Sequence, residues 1–506
     1  MAKFVGASDK VFLRDLSDRR KKVKQLLWGD WLNVVEETAD GWAKVKWGAT
    51  HYWLPRGQVQ DERPLEVVFL DVGQGDGCML VTPEAPPAER VVLIDAGQGD
   101  NLFRFIKWRF GKLKKDFKFH ASVITHPDSD HYLGFRPIFD QVRFWFSKVY
   151  HNGVGERGGA DRFGPSDATG RYLTDLVETD AKARALYAGA TSHGSMPYPK
   201  LLNRALTSGR VGSVEMLSTA HGEKHGGRTW MPGFSPASNP ELTIEVLGPV
   251  VEPDAQGRAR LRWFGGAPGG ADKDPGKTKN GHSVLLRLRY REFSLLFGGD
   301  LNLPAEDRLL RYYGGLTDAQ PRADGVAVAR TRLRSDVMKT CHHGSSDVTD
   351  EFLQAVDPFA FVVSSGDQES HVHPRPDLLG RLGRHGRGDA PLILCTEILR
   401  STREKEDATL VSTLRSLDAK IEDPATPTAE RATSRAERAK IQDTLGRRNV
   451  EVYGAINLRT DGARLALSFL MEEPRVGIGG PKRWHTYWFE HDPQQGFIPR
   501  KKAPLD

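Results

Sequence analysis

The chain has 506 residues, a formal net charge of +6 and 27% charged residues, with a mean hydropathy of −0.48 and a pI near 9.0. That length predicts about two to four structural units, and no apolar run approaches the roughly 20 residues needed to cross a bilayer, which excludes a membrane role. The basic balance favours polyanionic partners without demanding them.

The first residues, MAKFVGASDKVF, lack the apolar core of a secretion signal, so the expected location is the cytoplasm. Cys78, Cys341 and Cys395 lie far apart with no CxxC pair, which argues against a disulfide framework or a thiolate zinc knuckle and predicts reduced, buried thiols. The stretches QLLWGDWLNVVEE, TADGW, WAKVKWG and HYWLPRGQVQ alternate and carry Gly and Asp-Gly punctuation. They predict a small β-barrel within residues 1–62, with Trp28, Trp31, Trp42, Trp47 and Trp53 mostly filling its core. By pattern it resembles bacterial SH3-like domains, which implies a docking groove for a protein partner or glycan.

Residues 63–470 are expected to form the main unit. RPLEVVFLDVGQGDGCMLVTPE and RVVLIDAG read as central strands ending in loops, NLFRFIKWRFGKLKKDF as an amphipathic helix, and ASVITH as a strand. This alternation predicts a layered α/β domain. The aromatic and basic residues of RFIKWRFGKLKK also fit a single-strand-binding helix, against the plainer reading of an apolar face packed on the sheet. Residues 151–235 read as an excursion or lid, 397–449 as a charged helical insertion, and 471–506 as a C-terminal tail.

The stretch VITHPDSDHYLGF places His126, Asp128, Asp130 and His131 directly after a strand. Metallohydrolases hold their ligands on such loops; the competing reading makes Asp128 a helix cap. Further His and Asp residues recur at other strand ends: Asp300 in LLFGGD, His342 and His343 in KTCHHGS, His371 and His373 in ESHVHP. A composite metal site explains all of these clusters together.

The ordered motifs FLDVGQGDG, VLIDAG, THPDSDH, NGHSVLLRL, LLFGGD, KTCHHGS, HVHP and YGAINLRTDG resemble the metallo-β-lactamase-fold domain of the competence DNA-uptake channel protein and its free-standing relatives. The resemblance spans about 65–396 and 451–470, and omits that family's membrane segments. It implies an αββα sandwich with two divalent cations at one edge, Zn²⁺ or Mn²⁺ with Mg²⁺ as a further candidate. Carried over by position, His126 and Asp128 hold the first ion, Asp130, His131 and His373 the second, and Asp300 bridges them. Asn280 and His282 both stand where the remaining first-site ligand falls. Asp95 and Asp76 would orient ligands from behind, Asp130 would also place the attacking water, and His342 or His343 would face the scissile group. Lys339 is expected to be solvated. The implied activity is phosphodiester hydrolysis of nucleic acid, DNA or RNA, by a metal-activated hydroxide. The alternatives are a phosphodiesterase for cyclic nucleotides or phosphorylated headgroups, and a partner-recruiting protein with a vestigial site.

Overall fold

The computed structural model describes residues 3–8, 10–73, 75–110, 115–159, 161–188, 196–265, 273–366, 372–396, 408–449, 456–475 and 482–500. Two large mixed sheets lie face to face. The first has ten strands, in the order Val211–Met216, Phe144–His151, Phe117–Val123, Val91–Ala96, Gly77–Val81, Leu65–Phe69, Ile456–Thr460, Arg464–Arg475, Lys482–Asp492 and Gly496–Pro499. The second has eight, running from Glu223–His225 through Arg228–Trp230, Leu242–Gly248, Leu285–Tyr290, Phe293–Phe297, Val337–Lys339 and Ala360–Val363 to Leu392–Cys395.

Side-chain alternation along each strand builds the layers. Val67 and Phe69 of the first sheet meet Leu286, Leu288 and Leu295 of the second in one central core. Their neighbours Val68 and Leu70 turn outward onto Phe103, Phe105 and Ile106 of helix Asn101–Arg109 and onto helix Pro197–Thr207. On the opposite side Leu285 and Leu296 pack under helices Leu303–Gly314, Asp350–Val356 and Pro376–His385. Strands buried on both faces read as continuous apolar runs, and the result is the expected four-layer αββα sandwich. Parallel pairing in the two strand groups Val91–Met216 and Phe293–Cys395 brings the carboxyl ends of those strands to one edge, and the His and Asp loops sit there. No helix among the described residues is long and apolar enough to cross a membrane.

Three expectations are corrected. Residues 471–506 are not a separate tail: strands Lys482–Asp492 and Gly496–Pro499 extend the first sheet, and Phe489 and Phe497 enter the central core. Dense aromatic and basic residues hid the alternation of those strands. The excursion at 151–235 is no single lid, because Val211–Met216 pairs in parallel with Phe144–His151 under helix Pro197–Thr207, and two short strands join the second sheet. A small cluster of Val154, Phe163, Leu173, Leu176 and Leu261 is what remains beside the sandwich. The charged insertion does contain two helices, Ala408–Glu422 and Thr428–Asn449, while residues 397–407 lie outside the described residues.

The third correction concerns the N-terminal unit, a seven-stranded antiparallel sheet over residues 3–60. Its core is aliphatic, formed by Val5, Val11, Leu13, Leu26, Leu32, Ala43, Val45 and Leu54. The tryptophans mostly serve elsewhere. Trp31 is 49% exposed, Trp42 and Trp53 flank the Arg19 guanidinium at 5.1 and 4.3 Å, and buried Trp28 packs on Trp488 of the main sheet at 5.5 Å. Arg459 anchors the unit: it donates to the Trp28 carbonyl, to Asp30 at 2.7 Å and to Glu66 at 3.1 Å. Arg109 donates to the same Glu66 at 2.9 Å.

Candidate metal centre

The loop after strand Phe117–Val123 carries His126 and Asp128 and runs into a short helix, Ser129–Tyr132, that presents Asp130 and His131. Asp128 occupies the position before that helix with extended backbone, yet its side chain makes no capping hydrogen bond. Its carboxylate instead contacts the Lys279 ammonium and, at 2.7 Å, the Asn280 amide in its hydrogen-bonding orientation. Asp128 is therefore no helix cap, and its carboxylate faces Lys279, Asn280 and, at 3.4 Å, His126.

Asp300 follows strand Phe293–Phe297 through a tight turn in which Gly299 has φ +52°, and a Cβ there would lie 2.6 Å from Ser283. Gly75 allows an equally close approach, since a Cβ would meet the Asp130 carbonyl at 1.9 Å. His342, His343 and Asp95 adopt positive φ of 46°, 52° and 55°. Left-handed backbone at non-glycine residues costs about 1–3 kcal/mol each and collects where a site over-determines the chain.

Asp76, His131, Asp300 and His343, all buried, each bring a ligand atom to within 4.8 Å of the others. His131 Nε2 lies 3.2 Å from His343 Nε2, and both stand 3.2 Å from Asp300 Oδ2. Asp130 Oδ2 is 3.4 Å from His343 Nε2. His126 Nε2 is 3.4 Å from Asp128 and 3.9 Å from Asp300. Groups behind the cluster fix the ring orientations. Asp95 accepts from His131 Nδ1 at 2.8 Å and is held by the Thr125 amide and hydroxyl at 2.8 and 2.7 Å. The Ser364 carbonyl lies 3.1 Å from His343 Nδ1. Each contact leaves Nε2 facing the centre, the arrangement by which outer groups set the tautomer of a ligating histidine.

The electrostatics follow from that crowding. Burial opposes the charge on His131, but the Asp300 and Asp95 carboxylates outweigh it and raise its pKa well above the usual value. Burial likewise opposes the His343 cation, and Asp300 and Asp130 overcome it. For Asp300 burial works against the anion, and the two imidazoles win, holding its pKa well below the carboxylate range. His342 is different: burial lowers its pKa, and its side chain stays 29% exposed, 4.0 Å from Asp300.

These residues fit a divalent cation. His126 Nε2 and Asp300 Oδ1 are buried without a hydrogen bond, an arrangement that costs free energy unless something else satisfies them. Asp76, Asp95, Asp128, Asp130 and Asp300 are met by two ammonium groups, Lys279 and Lys339, so the pocket carries excess negative charge. Mixed imidazole and carboxylate donors suit Zn²⁺, Mn²⁺ or Mg²⁺.

The structure redistributes several expected roles. His343 belongs inside the cluster, not at its open face, and Asp76 stands among the converging groups, 3.3 Å from His343 Nδ1. Lys339 is not solvated: it is buried, pairs with Asp76 and lies 3.3 Å from the Gly299 carbonyl. Its place at the end of a fully apolar strand was the available signal. His282 points away from the centre. Its Nε2 lies 2.7 Å from the Arg262 carbonyl, its ring stacks on Phe264 at 4.7 Å, and burial pushes its pKa down to about 4. Asn280 takes the position at Asp128, and Lys279, which sequence reasoning passed over, arrives beside it. His373 is not among the converging groups; its ring is 5.8 Å from that of His342, and His371 lies outside the described residues. All three cysteines are buried thiols outside any disulfide.

His282→Leu should therefore leave metal content unchanged by elemental analysis, while costing about 1 kcal/mol of stability through the lost hydrogen bond.

No protein-family model matches the chain. A 108-residue stretch is 33% identical to competence protein ComA of Neisseria gonorrhoeae, and a 109-residue stretch is 27% identical to ComE operon protein 3 of Bacillus subtilis. Each match takes in 21% of this chain, and only 13% and 12% of those relatives' own lengths. Among solved structures, the metallo-β-lactamase fold protein YhfI from Bacillus subtilis aligns over 66% of this chain and 96% of its own, at 9% identity and a TM-score of 0.30. The chain's own two packed sheets and outer helix layers define its mixed α/β fold, and at one edge of that sandwich lies a buried Asp and His cluster able to hold a metal.

Proposed function

We propose that the protein is a metal-dependent phosphodiesterase that cleaves nucleic acid, DNA in the first instance. The observation that carries this reading is the convergence of Asp76, His131, Asp300 and His343 from separate strand ends into one buried cluster. Divalent ions bound there would acidify a water and neutralise charge developing on a phosphoryl oxygen. Asp300, facing His126, His131 and His343 together, fits a bridging ligand for two ions. Asp130, partly exposed beside His343, would orient the attacking water. His342 takes the outward role, since its lowered pKa keeps the imidazole neutral near pH 7 and its exposed edge can reach a phosphate or leaving oxygen. The likeness of the motif order to the competence family favours DNA, and the N-terminal sheet with its exposed Trp31 offers a surface for a recruiting partner.

Incubation of the purified protein with Mn²⁺, Mg²⁺ or Zn²⁺ and linear DNA, RNA, cyclic nucleotides or phosphorylated headgroups tests the proposal. DNA or RNA breakdown that EDTA stops is expected; turnover of cyclic nucleotides or headgroups alone would reject the nuclease reading.

Loading should also release protons. Metal-free His131 and His343 have raised pKa values, so at neutral pH they hold protons that a cation must displace. Apparent metal affinity should rise with pH through that raised range, and calorimetry in buffers of different ionisation enthalpy should record net proton release. The sign for metal-free stability is the reverse: these pairings contribute fully below the ordinary histidine pKa of about 6.5 and fade as pH climbs through the raised values.

A further inference from the structure

A cleft of about 890 Å³ lies behind the metal-bearing loop, between the outer helix layer and the charged insertion. Helix Phe135–Asp140, which starts just after His131 and Tyr132, forms one wall with helix Pro197–Thr207; helices Ala408–Glu422 and Thr428–Asn449 form the other. The floor is apolar, with Phe103, Leu133, Leu201 and Ile421. Five cations line it: Arg136, Lys200, Arg204, Arg435 and Arg438.

Three carboxylates share the cleft, and each is already engaged. Asp140 pairs with Arg204 at 2.5 Å, Asp418 with Arg438 at 2.5 Å, and Glu422 with Arg136. Lys200 and Arg435 have no carboxylate partner among the described residues and are exposed. The cleft is therefore electropositive, and Arg136 feels it: burial, then its neighbours Arg204 and Arg438, depress its pKa despite the nearby acids. An anion seated there would relieve that strain.

We propose that this cleft binds a phosphate-bearing ligand of nucleotide size, its phosphate among the rim cations and its flat apolar part on the floor. The volume falls within the roughly 300–1,000 Å³ typical of ligand clefts, and guanidinium groups are suited to phosphate oxygens. The site is distinct from the metal cluster, since none of the residues that line it belongs to that cluster.

Calorimetric titration of the full chain in EDTA with AMP, inorganic phosphate and adenosine tests the assignment, repeated with Asp300→Ala to exclude binding at the metal cluster. AMP should bind, phosphate more weakly, and adenosine more weakly than AMP. Lys200→Glu combined with Arg435→Glu should weaken AMP by at least about tenfold with unchanged melting, and the milder double replacement by Gln by less. Failure of AMP and phosphate to bind at millimolar concentration, equal binding of adenosine and AMP, or AMP binding untouched by both double variants would each overturn the proposal. Loss of AMP binding in Asp300→Ala would overturn it too, by assigning the ligand to the metal cluster.

Discussion

Asp300→Ala should lower turnover by at least about a thousandfold, equivalent to about 4 kcal/mol of transition-state stabilisation, and should cut bound metal in the same preparation. The physical reason is that one carboxylate serves several partners. Asp300 Oδ2 stands 3.2 Å from His131 and from His343, and 3.9 Å from His126. Its removal takes away a proposed ligand and also the largest influence raising the pKa of both inner histidines. The pKa of both imidazoles would then fall, although Asp95 still raises that of His131 and Asp130 and Asp76 that of His343, so residual metal binding in the variant should release fewer protons than in the wild type. Steady-state kinetics, elemental analysis and calorimetry on one sample distinguish this from simple unfolding. Asp300→Asn is the control for shape, because it keeps the volume and loses the charge; it should fail in the same way.

Arg459→Ala should destabilise the whole protein by about 3–5 kcal/mol, the cost of leaving buried charges without a partner, measured by denaturant unfolding. Arg459 is buried on strand Ile456–Thr460 and ties the Trp28 carbonyl and Asp30 of the N-terminal unit to Glu66 of the main sheet. Burial opposes ionisation of Glu66, and Arg109 and Arg459 overcome it, holding the carboxyl well below its usual range. With Arg459 gone, Asp30 loses its cross-unit partner and Glu66 keeps Arg109 and the longer contact to Arg63. The same geometry changes the expectation for a truncation. Deleting residues 1–60 would strip Trp28 from Trp488 and leave Arg459 facing solvent on one side. Such a protein should show a lower melting temperature, where a loosely tethered barrel would have left stability untouched.

Much of this was legible in the sequence, for identifiable reasons. The central strands are apolar on both faces, so EVVFL, GCMLV and VVLIDA declare themselves as buried strands without any tertiary information. His126, Asp130, His131 and Asp300 were readable because each lies in the short segment that follows such a strand, where the chain can aim a side chain at the sheet edge. The amphipathic reading of NLFRFIKWR also holds, with Leu102, Phe103, Phe105 and Ile106 buried.

What escaped notice depended on contacts across distant segments. His282 and Asn280 lie two residues apart, and only the packing of Phe264 against the His282 ring determines which of them faces Asp128. Lys339 reads as a solvated cation until Asp76, 263 positions away, is placed beside it in the interior. His342 and His343 differ by one residue, and their unusual left-handed backbone turns one inward and leaves the other at the rim. The tryptophans of the N-terminal unit look like core because of their size, while smaller aliphatic residues already fill the available volume.

The most direct test of the account is anomalous diffraction from crystals grown with Mn²⁺, recorded above and below a wavelength at which Mn²⁺ scatters distinctively. The account predicts an anomalous peak among His131 Nε2, His343 Nε2 and the Asp300 carboxylate. Crystals that show full Mn²⁺ occupancy elsewhere and no anomalous signal among those three side chains would contradict it.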